Sequence, residues 1–244
     1  MKKRTLVCFV LLSQLIKAGD TGENKESNDL DWNGLLWQSG FFLAVEHAFR
    51  FGTEPATRDQ LKGKFFDDWG QAIRGLGGWR DSDPFLVNYV GHPMQGAVTG
   101  HIFIHNYKPG KSIEFENSAR YWKSRLKAMA WSAAYSTQFE LGPVSEASLG
   151  NLGSRAVPGT MGYVDLVVTP LAGFGVQVTE DVIDRHIIRR LENKIRWGPA
   201  VIAFRGVLNP ARSFANCMRL KVPWARDTRP GAFEIGRHRR GPIN

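Results

Sequence analysis

Residues 85–106 contain no Lys, Arg, Asp or Glu, and an uncharged stretch of this length limits the folds that the chain can adopt. Its length and composition predict one apolar helix. Gly96 and Gly100 are four residues apart, so they share a helix face and permit the close approach of a second helix. Pro93 is expected to kink the helix beside His92 and to free a backbone carbonyl there.

The other apolar stretches also have the lengths and end signals of helices. Asp83 and Pro84 are a typical N-cap and first residue for the helix of residues 85–106. The longest predicted helix becomes strongly charged in its second half, where Asp181 and Arg185 are spaced for an ion pair. We expect that half to face water or lipid headgroups. The predicted helices outside 85–106 span residues 32–51, 66–74, 117–141, 161–194, 199–204 and 210–220.

None of these helices is a strong transmembrane segment, because each is short or carries polar residues. The sequence is compatible with a soluble all-α bundle, or with a bundle in or on a membrane whose polar residues turn inward. An outer-membrane β-barrel would need alternating strands of about ten residues, and only short pieces such as residues 101–105 alternate. We therefore predict a mainly α fold, a membrane-associated or membrane-embedded helical bundle, with the β-barrel as the alternative.

The N-terminus has the pattern of a secretory signal peptide, with an uncleaved membrane anchor as the alternative. Lys2, Lys3 and Arg4 precede an apolar run at residues 6–16. This layout predicts an exported protein of the periplasm or cell envelope. The predicted divisions of the chain are a signal peptide at 1–18, a flexible linker at 19–31, a helical domain at 32–222 and a basic, irregular tail at 223–244.

The net charge of +9 is concentrated at one end of the chain. Residues 185–244 hold fourteen Lys or Arg against three Asp or Glu, so they carry +11 and the rest of the chain carries −2. Such a segment can bind anionic lipid or form a solvated surface. Only Trp197 and Trp224 lie among the basic residues, which argues against a nucleic-acid interface. We expect a membrane or anionic lipid as the partner, and not nucleic acid.

Three ionisable residues stand out because each lies in, or at the end of, an apolar segment. They are His92, Glu140 and Asp165. Burying such groups is costly unless they are paired, so helices packed together would bring them to one site. A histidine between two carboxylates can act as a general acid or base, or the three groups can bind a metal ion. The alternative is a polar cluster that only fixes helix packing.

The polar residues follow an ordered pattern along the chain. It consists of His-Pro-x-x-Gly at 92–96, a helix ending in Glu140, and Asp-x-x-x-Thr-x-x-x-Gly at 165–173. This order resembles an uncharacterised bacterial family whose members are secreted or envelope-associated and carry a domain of unknown function. It is more distantly similar to the VanZ-like membrane proteins. The resemblance covers residues 84–192 and implies an envelope-located helical bundle with further ligand-binding residues at Asn88, Gly96, Thr169 and Gly173.

The sequence thus predicts an envelope protein with a polar site in an apolar bundle, acting on a lipid-linked or phosphorylated envelope molecule. If the protein is an enzyme, His92 would be the acid or base, Asp165 its orienting partner, and Glu140 a second carboxylate or metal ligand. The alternative is a non-catalytic structural or scaffolding protein. The residues identify no cofactor, no particular metal and no protein partner, and they leave open whether the protein is an enzyme.

Overall fold

The computed structural model describes residues 29–60, 64–81, 83–149, 161–195 and 197–237, so the predicted signal peptide and most of the predicted linker lie outside the described residues. Within those ranges the regular elements are helices and no β-strand occurs. This confirms a mainly α fold and argues against the β-barrel alternative. The helices are α1 (Trp32–Thr53), α2 (Pro55–Gln60), α3 (Phe65–Gly75), α4 (His92–Asn106), α5 (Lys108–Lys111), α6 (Ala119–Leu141), α7 (Val164–Ile183), α8 (Arg189–Lys194), α9 (Gly198–Val207), α10 (Pro210–Met218) and α11 (Ala232–Arg237).

The contact between α4 and α7 is the most extensive between helices of the described chain. A methyl group on Gly96 would lie 1.9 Å from the carbonyl oxygen of Thr169, and one on Gly173 would lie 2.6 Å from the Cα of Gly96. These glycines therefore let the two backbones touch. Gly100 lies one turn further along α4, against the side-chain amide of Gln177.

α4 lies at the centre of the bundle. α6 packs on both α4 and α7, while α1 and α10 pack on α4. Thirteen of the fifteen residues of α4 are buried, which explains its uncharged sequence, since a charge on almost any face would be desolvated. The main apolar cluster around α4 includes Leu35, Phe42, Ile102, Phe103, Phe139 and Met218.

The irregularity expected beside Pro93 is a π-helical turn, Val87–Gly91, that runs directly into α4. Pro93 has no N–H, and the amide of His92 reaches back to the carbonyl of Val87. Such turns occur frequently at functional sites, because they move side chains out of the regular helical register. The turn therefore sets the position of His92.

In the charged half of the long helix the acidic residues, such as Asp181, are buried, while basic residues such as Arg185 and Lys194 are exposed. The expectation that this half faces water or headgroups therefore holds for its basic residues and is wrong for its acidic ones. Asp181 accepts hydrogen bonds from Tyr121 and Arg125 and also pairs with Arg212. It does not form the predicted pair with Arg185, which binds Glu114 instead. A buried carboxylate is stable only with such partners, and arginines from distant parts of the chain supply them.

Residues 223–237, which belong to the predicted basic tail, contribute to this network. Arg226 Nε lies 2.9 Å from a carboxylate oxygen of Asp184. Arg229 pairs with both Asp184 and Glu192, and α11 follows it. Much of the C-terminal positive charge therefore neutralises acidic residues inside the protein.

One helical stretch of the described chain, Val164–Lys194, is long and apolar enough to cross a membrane, judged by length and composition alone. A core helix of a soluble protein meets the same criterion. Length and composition do not distinguish these two kinds of helix, so membrane association stays a proposal.

Candidate functional site

His92 and Asp165 face each other across the contact between α4 and α7. His92 is the first residue of α4, Asp165 lies in the first turn of α7, and the two residues are 5% and 4% exposed. His92 Nε2 lies 3.3 Å from Asp165 Oδ1. The structure thus brings together two ionisable groups that the sequence places on separate apolar helices.

Asp83 is the third member of this group. One ligand atom from each of Asp83, His92 and Asp165 can be chosen so that all three lie within 4.8 Å of one another. Asp83 is not the predicted N-cap, because the carbonyl of Pro84 accepts the first helical hydrogen bond, from the amide of Val87 at 2.9 Å. The carboxyl group of Asp83 lies instead near His92 at the start of α4 and Asp165 at the start of α7.

A backbone hydrogen bond holds the segment that contains Asp81 and Asp83, here called the acidic segment, beside α7. The amide of Val164 donates to the carbonyl of Trp79 at 3.1 Å, which places the following Asp81 and Asp83 next to the start of α7. Asn88 donates a side-chain hydrogen bond to Asp81 at 2.7 Å, and the Asp83 amide donates to the same oxygen at 3.0 Å. The predicted ligand-binding residue Asn88 therefore orients Asp81.

Glu140 ends α6 on the same side of the bundle. The loop after α6 folds back, with the amide of Ala147 donating to the carbonyl of Glu140 at 3.1 Å. Burial, followed by the charges of Glu146 and Asp165, raises the pKa of Glu140 well above its usual value. Arg50 contacts Glu146 at 3.2 Å at the edge of this cluster. Glu140 therefore belongs to the same acidic cluster as Asp165.

Most carboxyl groups of the cluster hold their protons unusually tightly; the exception is Asp81, whose pKa burial would raise but hydrogen bonds from its neighbours lower. Burial and the neighbouring carboxyl group of Asp81 raise the pKa of Asp165 to about 9. Burial is also the main reason that the pKa of Asp83 rises to about 6 and that of Glu146 to about 7. Burial lowers the pKa of His92, which leaves the imidazole neutral. A neutral imidazole beside crowded carboxyl groups is suited to a cation.

Gln95 determines which nitrogen of His92 carries the proton. The side-chain oxygen of Gln95 lies 3.2 Å from His92 Nδ1, and the same side chain bonds to Glu46. Tyr135 donates to Glu46 at 2.6 Å. Because an amide oxygen only accepts hydrogen bonds, Nδ1 carries the proton and Nε2 presents its lone pair toward Asp165. Metal-ligating histidines are commonly oriented in this way.

Three acceptor atoms, one on each predicted catalytic residue, have no hydrogen-bond partner among the described residues. They are His92 Nε2, Asp165 Oδ1 and Glu140 Oε1. Each belongs to a residue that is more than nine-tenths buried, whereas buried polar atoms in proteins are nearly always paired. Imidazole nitrogen and carboxylate oxygen are ligands of zinc and of similar divalent cations. The arrangement therefore has the donor atoms of a metal centre.

The other predicted ligand-binding residues lie along the contact between α4 and α7. Gly96 and Gly173 touch backbone to backbone, which leaves no space for a ligand between them. Thr169 is fully buried one turn below Asp165. Gly96 and Gly173 allow His92 and Asp165 to approach, while the buried Thr169 Oγ1 has no hydrogen-bond partner among the described residues.

Several residues of the cluster were not singled out as site residues by the sequence analysis. Asp81 and Asp83 could have been found from the Asp-x-Asp pattern directly before the uncharged stretch. Gln95 could have been found from its spacing of three residues from His92 on a helix. Arg50 and Glu146 carry no such signal, because their contact joins distant parts of the chain.

No family model, curated protein or solved structure matches this chain. The resemblance to an envelope-associated family stays a prediction. The functional argument therefore rests on the geometry of the site.

Proposed function

We propose that this protein binds a divalent cation through Asp83, His92 and Asp165 and acts through it on a lipid-linked or phosphorylated envelope molecule. The observation that carries the proposal is the convergence of the three donor groups within 4.8 Å. Two of their donor atoms, His92 Nε2 and Asp165 Oδ1, are buried without hydrogen-bond partners among the described residues. Three protein ligands leave coordination positions open, as in catalytic centres.

Such a cation would polarise a phosphoryl or carbonyl oxygen. Glu140 is a further carboxyl group of the same acidic cluster and would exchange a proton with the substrate or with water, because burial raises its pKa well above its usual value and favours the protonated form. This assigns Glu140 the acid–base role and leaves His92 as a ligand. The sequence alone favours His92 as the acid or base.

The surroundings of the site support an apolar substrate. The residues between Asp83 and His92 expose large apolar side chains, with Phe85 and Leu86 each 70% exposed. Exposed apolar residues beside a polar site are expected where a ligand carries a hydrocarbon chain. The signal-peptide pattern and the apolar stretch Val164–Lys194 support a place in the envelope, in contact with lipid. Cell fractionation tests this location, and recovery of the native protein only in the cytosol would contradict it.

Calorimetric titration of the full chain with Zn²⁺ and Mn²⁺ tests the metal site. We expect His92→Asn and Asp165→Asn to weaken binding by more than the roughly 10–100-fold that follows loss of a supporting residue. His101→Asn is the matched control, because it removes a buried histidine from the same helix that already bonds to Glu180. Absence of binding by the native chain, or equal affinity in the His92 and His101 variants, would refute the proposal.

A non-catalytic polar lock is the second candidate, and the contact of His92 with Asp165 across two helices favours it. A lock predicts that Asp165→Asn destabilises the fold in proportion to any loss of function. A metal site predicts unchanged or higher stability of the metal-free protein, since functional groups are often held at a cost in stability. Urea denaturation of the metal-free variants separates the two.

A further inference from the structure

A groove at the opposite end of the long helix is lined by three arginines, two glutamates, two hydroxyl residues and two apolar residues. We call it the arginine groove, and its volume is about 350 Å³. Asp165 and Arg185 are twenty residues apart on one nearly continuous helix, which places them about 30 Å apart. The groove is therefore distinct from the proposed metal site. It is lined by Ser112, Ile113, Glu114, Phe115, Glu116, Arg120, Arg185, Arg189 and Thr228.

The guanidinium groups of the groove are accessible. The side chains of Arg185 and Arg189 are 42% and 44% exposed, although both contact Glu114. Arg120 is exposed on the first turn of α6. Because these three arginine side chains are partly exposed to solvent, they can bind a further anion without a rearrangement of the core.

The groove adjoins a smaller polar cavity of about 40 Å³, with which it shares residues 113–115 and Thr228. Together the two spaces are lined by eight Lys or Arg residues and five carboxylates. The buried carboxylates among them are already paired, as Asp181 is with Arg125 and Arg212. The combined lining therefore carries an excess of three positive charges, eight minus five.

His105 lines the inner cavity and shows the same excess. Its Nδ1 has no hydrogen-bond partner among the described residues. Burial lowers the pKa of His105 well below its usual value, and the cations Arg219, Arg212 and Lys111 lower it further. An anion bound nearby would offset these cations and raise the pKa of His105.

We propose that the arginine groove binds a phosphate-bearing anion, held by Arg120, Arg185 and Arg189. The planar guanidinium group matches a phosphate geometrically and forms two hydrogen bonds to it. The hydroxyl group of Ser112 lines the groove as a further donor, whereas that of Thr228 donates to Glu114 at 3.1 Å. The same chemistry recognises free phosphate and the headgroup of a phospholipid, so the experiment has one arm for each source.

Calorimetric titration with inorganic phosphate tests the first source, and co-sedimentation with phosphatidylglycerol vesicles tests the second. Arg189→Gln should weaken binding by about tenfold, the loss of one charge-assisted contact. Arg190→Gln is the matched control, because Arg190 neighbours it in α8 and does not line the groove; its affinity should stay within about twofold of the native value.

Glu114→Gln gives a change of the opposite sign. Glu114 competes with any bound anion for Arg185 and Arg189, so its neutralisation should strengthen binding several-fold even if it lowers stability. A merely structural role of these residues would not raise affinity. Circular dichroism confirms that each variant is folded. The proposal is overturned if neither phosphate nor vesicles bind, or if the Arg189 and Arg190 variants lose affinity equally.

Discussion

His101 Nε2 lies 3.0 Å from a carboxylate oxygen of Glu180, and this contact joins the same two helices as that of His92 with Asp165. The two pairs differ in their remaining partners. The Glu180 carboxylate also accepts the amides of Ala211, at 2.7 Å, and of the following residue, at 3.0 Å. The contact between α4 and α7 therefore holds two histidine–carboxylate pairs. In the closed pair, His101 with Glu180, the carboxylate accepts further hydrogen bonds; in the open pair, His92 Nε2 and Asp165 Oδ1 have no hydrogen-bond partner among the described residues.

The closed pair should act on stability alone. Glu180 receives the first-turn amides of α10, so Glu180→Gln removes charge-assisted hydrogen bonds at a helix N-terminus. We expect a loss of about 2–3 kcal/mol in the free energy of unfolding, measured by urea denaturation. Metal affinity at His92 should not change. A loss of stability below about 0.5 kcal/mol would show that the closed pair does not hold α10 in place.

The glycines at the helix contact give a second prediction. A methyl group at Gly96 would meet the carbonyl of Thr169 at 1.9 Å, so Gly96→Ala must push α4 and α7 apart. Overpacking of this kind costs at least about 1–3 kcal/mol, and it should also weaken metal binding, because His92 and Asp165 separate. Gly175→Ala is the control, since nothing lies within 4 Å of its added methyl group. It should be neutral or stabilise α7 by up to about 1 kcal/mol, as thermal unfolding would show.

Much of the helical bundle could be predicted from the sequence because its helices are built from local signals. The uncharged stretch at 85–106 is a single helical segment in which a π-helical turn precedes α4, and α6 lies within its predicted bounds. The approach of His92 and Asp165 could be anticipated, since isolated ionisable groups in apolar helices need one another. The glycines that permit this approach were visible only as a spacing.

The remainder depends on contacts between distant parts of the chain. The pairing of Trp79 with Val164 brings the acidic segment to the site, and no local pattern encodes it. Arg226 lies forty-two residues from its partner Asp184. The sequence predicts that the basic C-terminal residues form a solvated or lipid-binding tail. Several of them are instead partners of buried carboxylates, which composition alone cannot reveal.

Glu46 gives a pH-dependent prediction away from the metal ligands. Burial raises its pKa from 4.5 to about 8, so the folded state favours the protonated form. Its contribution to stability is fully present below pH 4.5 and is lost as the pH rises toward 8. Glu46→Gln keeps an acceptor for Tyr135 and should remove this part of the pH dependence. Urea denaturation across this range, with the exposed Glu116→Gln as control, measures the difference, and equal slopes for native protein and Glu46→Gln would contradict the prediction.

Asp184 gives a prediction at acid pH. Burial alone would raise its pKa, but Arg212, Arg226 and Arg229 outweigh burial and hold it at about 2, below the usual 3.8. The stability that ionised Asp184 contributes is therefore present above pH 3.8 and is lost as the pH falls from 3.8 to about 2. Asp184→Asn leaves three arginines without their shared partner and should cost about 3–5 kcal/mol near neutral pH. The variant should also lose the acid-dependent step between those two pH values, whereas the exposed Asp67→Asn should retain it. Acid titration followed by circular dichroism checks this, and an unchanged acid transition in Asp184→Asn would show that the arginines are stabilised by other groups.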